Sequence, residues 1–278
     1  MNNNQRAFLK WAGGKYRLSI EIRKFLPPQS TQRVCFVEPF VGAGSVFLNT
    51  HYDRYLLADI NPDLINLFNT IKQDVERYIT QSKLIFLSPN ANTALYYYAK
   101  RQEFNHSTDI FHRSVLFLYL NRFGFNGLCR YNKQNEYNVP FGRYKKPYFP
   151  EKELRFFAAK AQKAQFICAN FEHIFEYIYQ NPDNYIVYCD PPYAPLEQES
   201  NFTHYASGGF SLAQQELLAK HAKQAQQKQI PVLISNHDTA FTRKIYHGAQ
   251  IKKIKVQRSI GKNAKSRIKV NELLALFS

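Results

Sequence analysis

The chain is 278 residues long, and 37 Lys and Arg against 21 Asp and Glu leave a formal charge of +16. At roughly 150 residues per typical domain, this length suits one large domain or one domain with a substantial insertion, and argues against a long repeat array. With 45% hydrophobic and 15% aromatic residues the chain can bury a core, which excludes wholesale disorder. The cationic excess favours a polyanionic partner, nucleic acid before an anionic membrane.

From the N-terminus, residues 1–15 are polar and interrupted by Gly13 and Gly14, so no secretory signal is expected. Short β-branched or aromatic runs follow at 33–37, 55–58, 164–168, 185–189, 231–235 and 249–256. They are bounded by turn residues and separated by helix-length segments, an α/β signature. Several are almost continuously apolar, the pattern of parallel strands covered on both faces. Apolar spacing predicts helices over 63–78 and 212–228. Between them, residues 90–150 are rich in Tyr and Phe. Helical spacing through 111–120 leads into a Gly-, Asn- and Arg-rich stretch too dense in turn residues for a regular element, so this part reads as an inserted helical module ending in a functional loop. The tail, 270–277, fits a helix and a last strand equally well. The longest apolar run, 115–120, falls far short of the roughly 20 residues needed to cross a bilayer. Cys35, Cys129, Cys168 and Cys189 have no metal or redox spacing and are expected to be small buried hydrophobes in a reducing compartment.

Two places carry chemistry. Residues 36–45, FVEPFVGAGS, read as a strand, a turn at Gly42 and Gly44, and then a helix; the glycines allow close backbone approach to a ligand and the helix N-terminus would present free N–H groups. A G-x-G alone says little. Its weight comes from Asp59 at the end of the next strand, where an acid in a doubly wound sheet reaches the ribose hydroxyls of a nucleoside-bearing cofactor. The second place is more specific: strand 185–189 runs directly into Asp190, Pro191, Pro192 and Tyr193. The prolines end the strand, remove two amide donors and stiffen the backbone. A carboxylate and an aromatic ring flank them at the carboxyl end of a central strand, where open α/β sheets bind ligands.

Residues 40–44 followed much later by D-P-P-Y resemble the amino-methyltransferases that use S-adenosyl-L-methionine. The order of cofactor motif, recognition insert and D-P-P-Y is that of the alpha group of DNA adenine-N6 methyltransferases. The likeness extends to FLKWAGGK at 8–15, NRFGFNG at 121–127 and ISNHD at 234–238, so essentially the whole chain is similar to the Dam-type methylases of GATC sites. The resemblance implies an α/β fold: a Rossmann-like, mostly parallel sheet as catalytic methyltransferase domain, from residues 1–60 and 160–278, with a helical target-recognition domain inserted over 61–160. It implies S-adenosylmethionine held by Trp11, Lys15, Glu38, Phe40, Gly42, Gly44, Asp59 and Asp190. Asp190 and the Pro191 carbonyl, beside Pro192, would accept the two amine hydrogens of adenine, and Tyr193 would stack on a base flipped out of the duplex. The methyl would pass by direct displacement, without a covalent enzyme intermediate or a metal, positioning and electrostatics carrying most of the rate.

For DNA the resemblance points to Lys10, Phe125, Asn126, Leu128, Arg130, Pro140, Arg143, Tyr144 and Lys145. Lys10 would meet the first guanine of the site, with a generic phosphate contact as the competing role. Phe125 would fill the gap left by the flipped base, where the family often carries tyrosine. Arg130 is the residue type that reads guanine O6 and N7 bidentately, whereas Arg143, Lys145 and Lys146 suit phosphates. Two other readings stay open: an RNA or protein-glutamine amino-methyltransferase, and a DNA-binding regulator with a vestigial cofactor site, which the intact Gly42, Gly44, Asp59 and D-P-P-Y disfavour. The expected partner is double-stranded DNA, with no metal, membrane or obligatory protein partner, in the cytoplasm at the nucleoid. Residues 251–269 hold eight basic residues and no acid, and residues 113–146 hold seven against Glu136. These two segments are expected to flank one DNA-binding cleft, with residues 262–269 on phosphates.

Overall fold

The apolar runs fold as strands and the periodic segments as helices in a computed structural model that describes residues 4–27, 34–196, 210–259 and 267–278. In chain order these are α1 (Ser19–Phe25), β1 (Cys35–Glu38), β2 (Arg54–Asp59), α2 (Pro62–Gln73), α3 (Val75–Phe86), α4 (Ala94–His106), α5 (Ile110–Phe123), α6 (Glu151–Ala161), β3 (Ala164–Cys168), α7 (Phe171–Gln180), β4 (Tyr185–Cys189), α8 (Leu212–Gln227), β5 (Val232–His237), α9 (Ala240–Ile245), β6 (Gln250–Ser259) and β7 (Arg267–Phe277). They gather into two compact units, one of residues 1–20, 41–51 and 59–168, the other of 21–40, 52–58 and 169–278.

In the second unit the strand order is β2-β1-β4-β5-β7-β6. The first four run parallel, and β7 is antiparallel to both β5 and β6. Every residue of β1, β4 and β5 is buried, as a strand covered on both faces requires. Strand succession runs outward in opposite directions from the β1–β4 pair, so the carboxyl ends at Glu38 and Cys189 flank a topological switch point. The tail resolves as a strand. Residues 273–277 are buried and pair with β5, and that packing overrides the helix propensity of the Leu- and Ala-rich segment. Residues 262–266 of the expected phosphate-binding segment lie outside the described residues, and 267–269 belong to β7.

The first unit departs from the sequence reading in two places. The helix expected over 63–78 is two helices, because Asp74, with φ −151°, ends α2 and caps α3 by accepting the Arg77 N–H at 3.0 Å. No α-helix follows the glycine turn, only a 3₁₀ turn over Phe47–Asn49. There the side chains compete for the backbone: Asn49 Nδ2 donates to the Ser45 and Gln5 carbonyls, and the Thr50 hydroxyl to those of Val46 and Phe47. The helix predicted over 111–120 is the longer α5. It is tied to α2 by Arg113, whose guanidinium donates to Asp63 Oδ1 at 2.7 and 3.0 Å while Tyr131 OH donates to Oδ2 at 2.7 Å. Cys35 and Cys189 are buried as expected, and Cys129 is partly so. Cys168 is exposed: it shares a strand face with the buried Ala164 and Phe166 but is the last residue of β3, where that burial ends.

Candidate active site and DNA-reading loop

In the second unit, Pro191 and Pro192 end β4 and the D-P-P-Y segment is then held from several elements. Ser235 on β5 donates its hydroxyl to Asp190 Oδ1 at 2.7 Å and lies 3.0 Å from Tyr188 OH on β4. Gln215 of α8 donates to the Pro192 carbonyl at 2.7 Å, and Asn236 Oδ1 accepts the Ala194 N–H at 3.0 Å. Asn236 Nδ2 donates in turn to Gln215 Oε1 and Tyr246 OH, both at 2.9 Å, which closes the network. Tyr193 donates its hydroxyl to Glu272 Oε2 on β7 at 3.0 Å and meets the His237 ring edge-on, with centroids 4.9 Å apart. Burial first, then the Asp190 and Glu272 carboxylates, raise its phenol far above the ordinary value, so it remains a donor. Among the described residues none donates to the Pro191 carbonyl. Adjacent residues therefore offer a carboxylate and a carbonyl, the two acceptors that an amine with two N–H bonds requires. Glu38 is buried at the end of β1, and Phe40 stacks on Phe171 at 5.6 Å.

In the first unit Trp11 and Asp59 both meet the turn that holds Gly42 and Gly44. Gly42 has φ +47°, and a Cβ there would lie 2.8 Å from Trp11 Nε1, so only glycine lets the indole seat against the turn. Its N–H donates to Asp59 Oδ2 at 3.1 Å while the Asn61 N–H donates to Oδ1 at 3.0 Å. Burial raises the Asp59 carboxyl, and these backbone donors oppose that. Lys15 is buried with Nζ donating to the Gly13 carbonyl at 2.8 Å.

The same unit brings together most of the expected DNA-binding residues. Lys10 Nζ lies 3.6 Å from the centre of the Tyr144 ring and donates to the Arg122 carbonyl at 3.0 Å. Tyr144 OH accepts the Asn126 N–H at 2.8 Å, which supports Asn126 in the left-handed region at φ +54°. The Pro140 carbonyl accepts the Phe125 N–H at 2.8 Å, leaving a ring that is 40% exposed. The Leu128 carbonyl accepts Tyr137 OH at 2.9 Å. Arg130 is exposed and oriented by Asn138, to whose Oδ1 its Nε donates at 2.7 Å. Arg143 and Lys145 are exposed, and Asn92 holds their loop by donating to the Tyr144 carbonyl at 2.8 Å. Glu272 and Gln215 carry no sequence signal of their own; Ser235, Asn236 and His237 sit in the ISNHD segment, which the family resemblance includes without a role.

Residues 11–260 match the family model of the D12 class N6 adenine-specific DNA methyltransferases. The chain belongs to that class. This D12 methyltransferase is 61% identical over 273 residues to a DNA adenine methylase of Haemophilus influenzae, covering 98% of this chain and 93% of that one. It is 56% identical to a DNA adenine methylase of Vibrio cholerae (99% and 96% covered) and 55% identical to one of Escherichia coli K12 (98% and 95%). An rRNA methyltransferase of Streptomyces viridochromogenes aligns at a TM-score of 0.35 and 12% identity, covering 94% of this chain and 84% of that one, a weak likeness. The D12 enzyme acts on adenine N6 in DNA, which sets aside the RNA, glutamine and regulator readings. Among the described residues no helix is long and apolar enough to cross a membrane, and no group of His, Cys, Asp and Glu could hold a metal ion.

Proposed function

We propose that this D12 methyltransferase transfers the methyl group of S-adenosylmethionine to N6 of an adenine flipped out of duplex GATC, on DNA in the bacterial cytoplasm. The observation that carries the reading is the braced D-P-P-Y segment at the switch point, with two acceptors on adjacent residues beside a fixed aromatic ring. The donor set fits the cofactor: the Trp11 indole on Gly42 makes a flat wall for a purine, and Asp59 is a half-buried acceptor suited to ribose hydroxyls. When bound, S-adenosylmethionine supplies an electrophilic methyl on a sulfonium. Its binding residues in this reading are Trp11, Lys15, Glu38, Phe40, Gly42, Gly44, Asp59 and Asp190.

Adenine's amine is a poor nucleophile because its lone pair is delocalised into the ring. Asp190 and the Pro191 carbonyl each accept one amine hydrogen and draw the nitrogen toward a tetrahedral geometry, while Pro192 stiffens the turn. Tyr193, held by Glu272 and His237, offers its ring to the flipped base. Residues 61–160 serve as the target-recognition domain, residues 1–60 and 160–278 as the catalytic domain. In that assignment Phe125 fills the vacated stack, Lys10, Asn126, Leu128, Arg130, Pro140 and Tyr144 read the site, and Arg143 and Lys145 hold phosphates. Incubation with labelled S-adenosylmethionine and duplexes carrying GATC or a one-base variant tests the reading. N6-methyladenine is expected in GATC alone; equal labelling of both duplexes would overturn the specificity, and no labelling at all the cofactor.

Lys10 adds a pH dependence. Burial first, then the nearby Arg122 charge, lowers its pKa to about 8 in the free protein. Guanine acceptors or phosphates favour the ammonium, so binding above this pH takes up a proton. Duplex affinity is therefore expected to be flat below pH 8 and to fall above it, by up to about tenfold per pH unit. Titration of affinity from pH 7 to 9.5 checks this: Lys10→Met should bind more weakly at pH 7 and lose the slope, and a slope retained in the variant would assign it to another group.

A further inference from the structure

Asn121, at the end of α5, is 1% exposed and lies 111 residues from Lys10, yet its side-chain amide pairs with both backbone polar groups of that residue. Oδ1 accepts the Lys10 N–H at 2.9 Å and Nδ2 donates to the Lys10 carbonyl at 2.8 Å. Nδ2 also donates to the Gly127 carbonyl at 3.2 Å. One amide thus fastens the 8–15 segment to the reading loop, as a neighbouring strand would. The fit leaves no slack, because a Cβ on Gly127 would lie 2.1 Å from Lys10 Cβ. Lys10 in turn lies on Tyr144, whose hydroxyl holds the Asn126 N–H. The next residue, Trp11, packs its indole against Gly42, and the Gly42 N–H holds Asp59. One peptide bond therefore separates a residue seated on the reading loop from a residue seated on the glycine turn.

We propose that Asn121 is a positioning residue that couples the two binding events: it makes residues 10 and 11 a rigid lever, so that filling the cofactor turn aligns Lys10 and the loop around Gly127 for DNA, and the reverse. Coupling of this kind is reciprocal and is measured as the factor by which one ligand tightens the other. A ligand that fixes Trp11 fixes the Lys10 backbone, and Asn121 passes that alignment to the Gly127 carbonyl. Without the amide each ligand still finds its own residues, but neither prepares the site for the other. The inference rests on the reading that Trp11 meets the cofactor and Lys10 the duplex.

The test measures the affinity of S-adenosylhomocysteine with and without a GATC duplex, in the full-length protein. The duplex is expected to tighten binding roughly fivefold or more in the wild-type chain and by a factor of about one in Asn121→Ala and Asn121→Asp. Asn121→Asp keeps the acceptor for the Lys10 N–H and loses both donations. Tyr78→Phe is the control, since it removes a buried hydrogen bond to the Ser114 carbonyl in the same unit without touching residues 10 or 127. It should lower the melting temperature and keep the coupling. Coupling retained in both Asn121 variants, lost equally in Tyr78→Phe, or missing from the wild type would overturn the proposal. Formation of N6-methyladenine by the same wild-type sample is scored separately, so a failure of the functional reading is distinguished from a failure of the lever.

Discussion

Asp190→Ala is expected to slow methyl transfer by about three orders of magnitude, the loss that follows when a preorganised electrostatic partner of the reacting group is removed. Duplex affinity should stay within a few-fold of wild type, since the cations and the Phe125 loop to which the proposed function gives the DNA contacts lie elsewhere in the sequence. The asymmetry follows from the chemistry: the amine hydrogens need acceptors most strongly as the nitrogen lone pair leaves the ring, so the contact counts for more in the transition state than in the bound complex. Single-turnover rates with saturating cofactor, beside equilibrium binding to the same duplex, separate the two. Ser235→Ala should have the same signature at smaller size. It leaves Asp190 in place and removes the 2.7 Å hydrogen bond that orients it. A loss of duplex binding equal to the loss of rate in Asp190→Ala would show that this carboxylate anchors DNA instead of activating the amine.

What the sequence made legible was whatever is written in contiguous residues. The D-P-P-Y segment announces itself because a fully apolar run meets two prolines, an acid and an aromatic ring without a gap. Asp59 stands out from its place at the end of a strand as a candidate for ribose hydroxyls; its bond to the Gly42 N–H is a separate contact, which strand position alone does not foretell. Glu272 could not. It precedes a Leu-rich tail that fits helix and strand alike, and only the antiparallel register, which pairs His237 with Glu272, brings it to Tyr193. Gln215 is equally silent, a polar residue on an amphipathic helix until α8 lays it against the Pro192 carbonyl. The glycine turn failed as a helix start for a local reason: the Asn49 and Thr50 side chains capture carbonyls that a helix would need. Pairings such as Lys10 with Asn121 are set by tertiary packing across 111 residues, and no periodicity records them.

Gly127→Ala is the second large effect, and it separates two costs that a glycine can hide. At φ +61° any side chain is strained, and the new Cβ would lie 2.1 Å from Lys10 Cβ. That neighbour is not the free end of a flexible chain. Its backbone is pinned at both N–H and carbonyl by Asn121, so neither partner can give. The substitution is expected to cost about 2–5 kcal/mol, backbone strain and overpacking together. Whatever survives should carry a displaced reading loop and reduced preference for GATC over one-base variants. Gly13→Ala supplies the comparison: its φ is +76°, yet a Cβ there meets nothing within 4 Å. It should therefore show the conformational cost alone, about 1–2 kcal/mol. Denaturant melts of both variants measure the difference, and the preference for GATC should fall in Gly127→Ala only. Equal destabilisation in the two would mean that Lys10 yields to the methyl group, and that the close approach of residues 10 and 127 does not hold the reading loop in place.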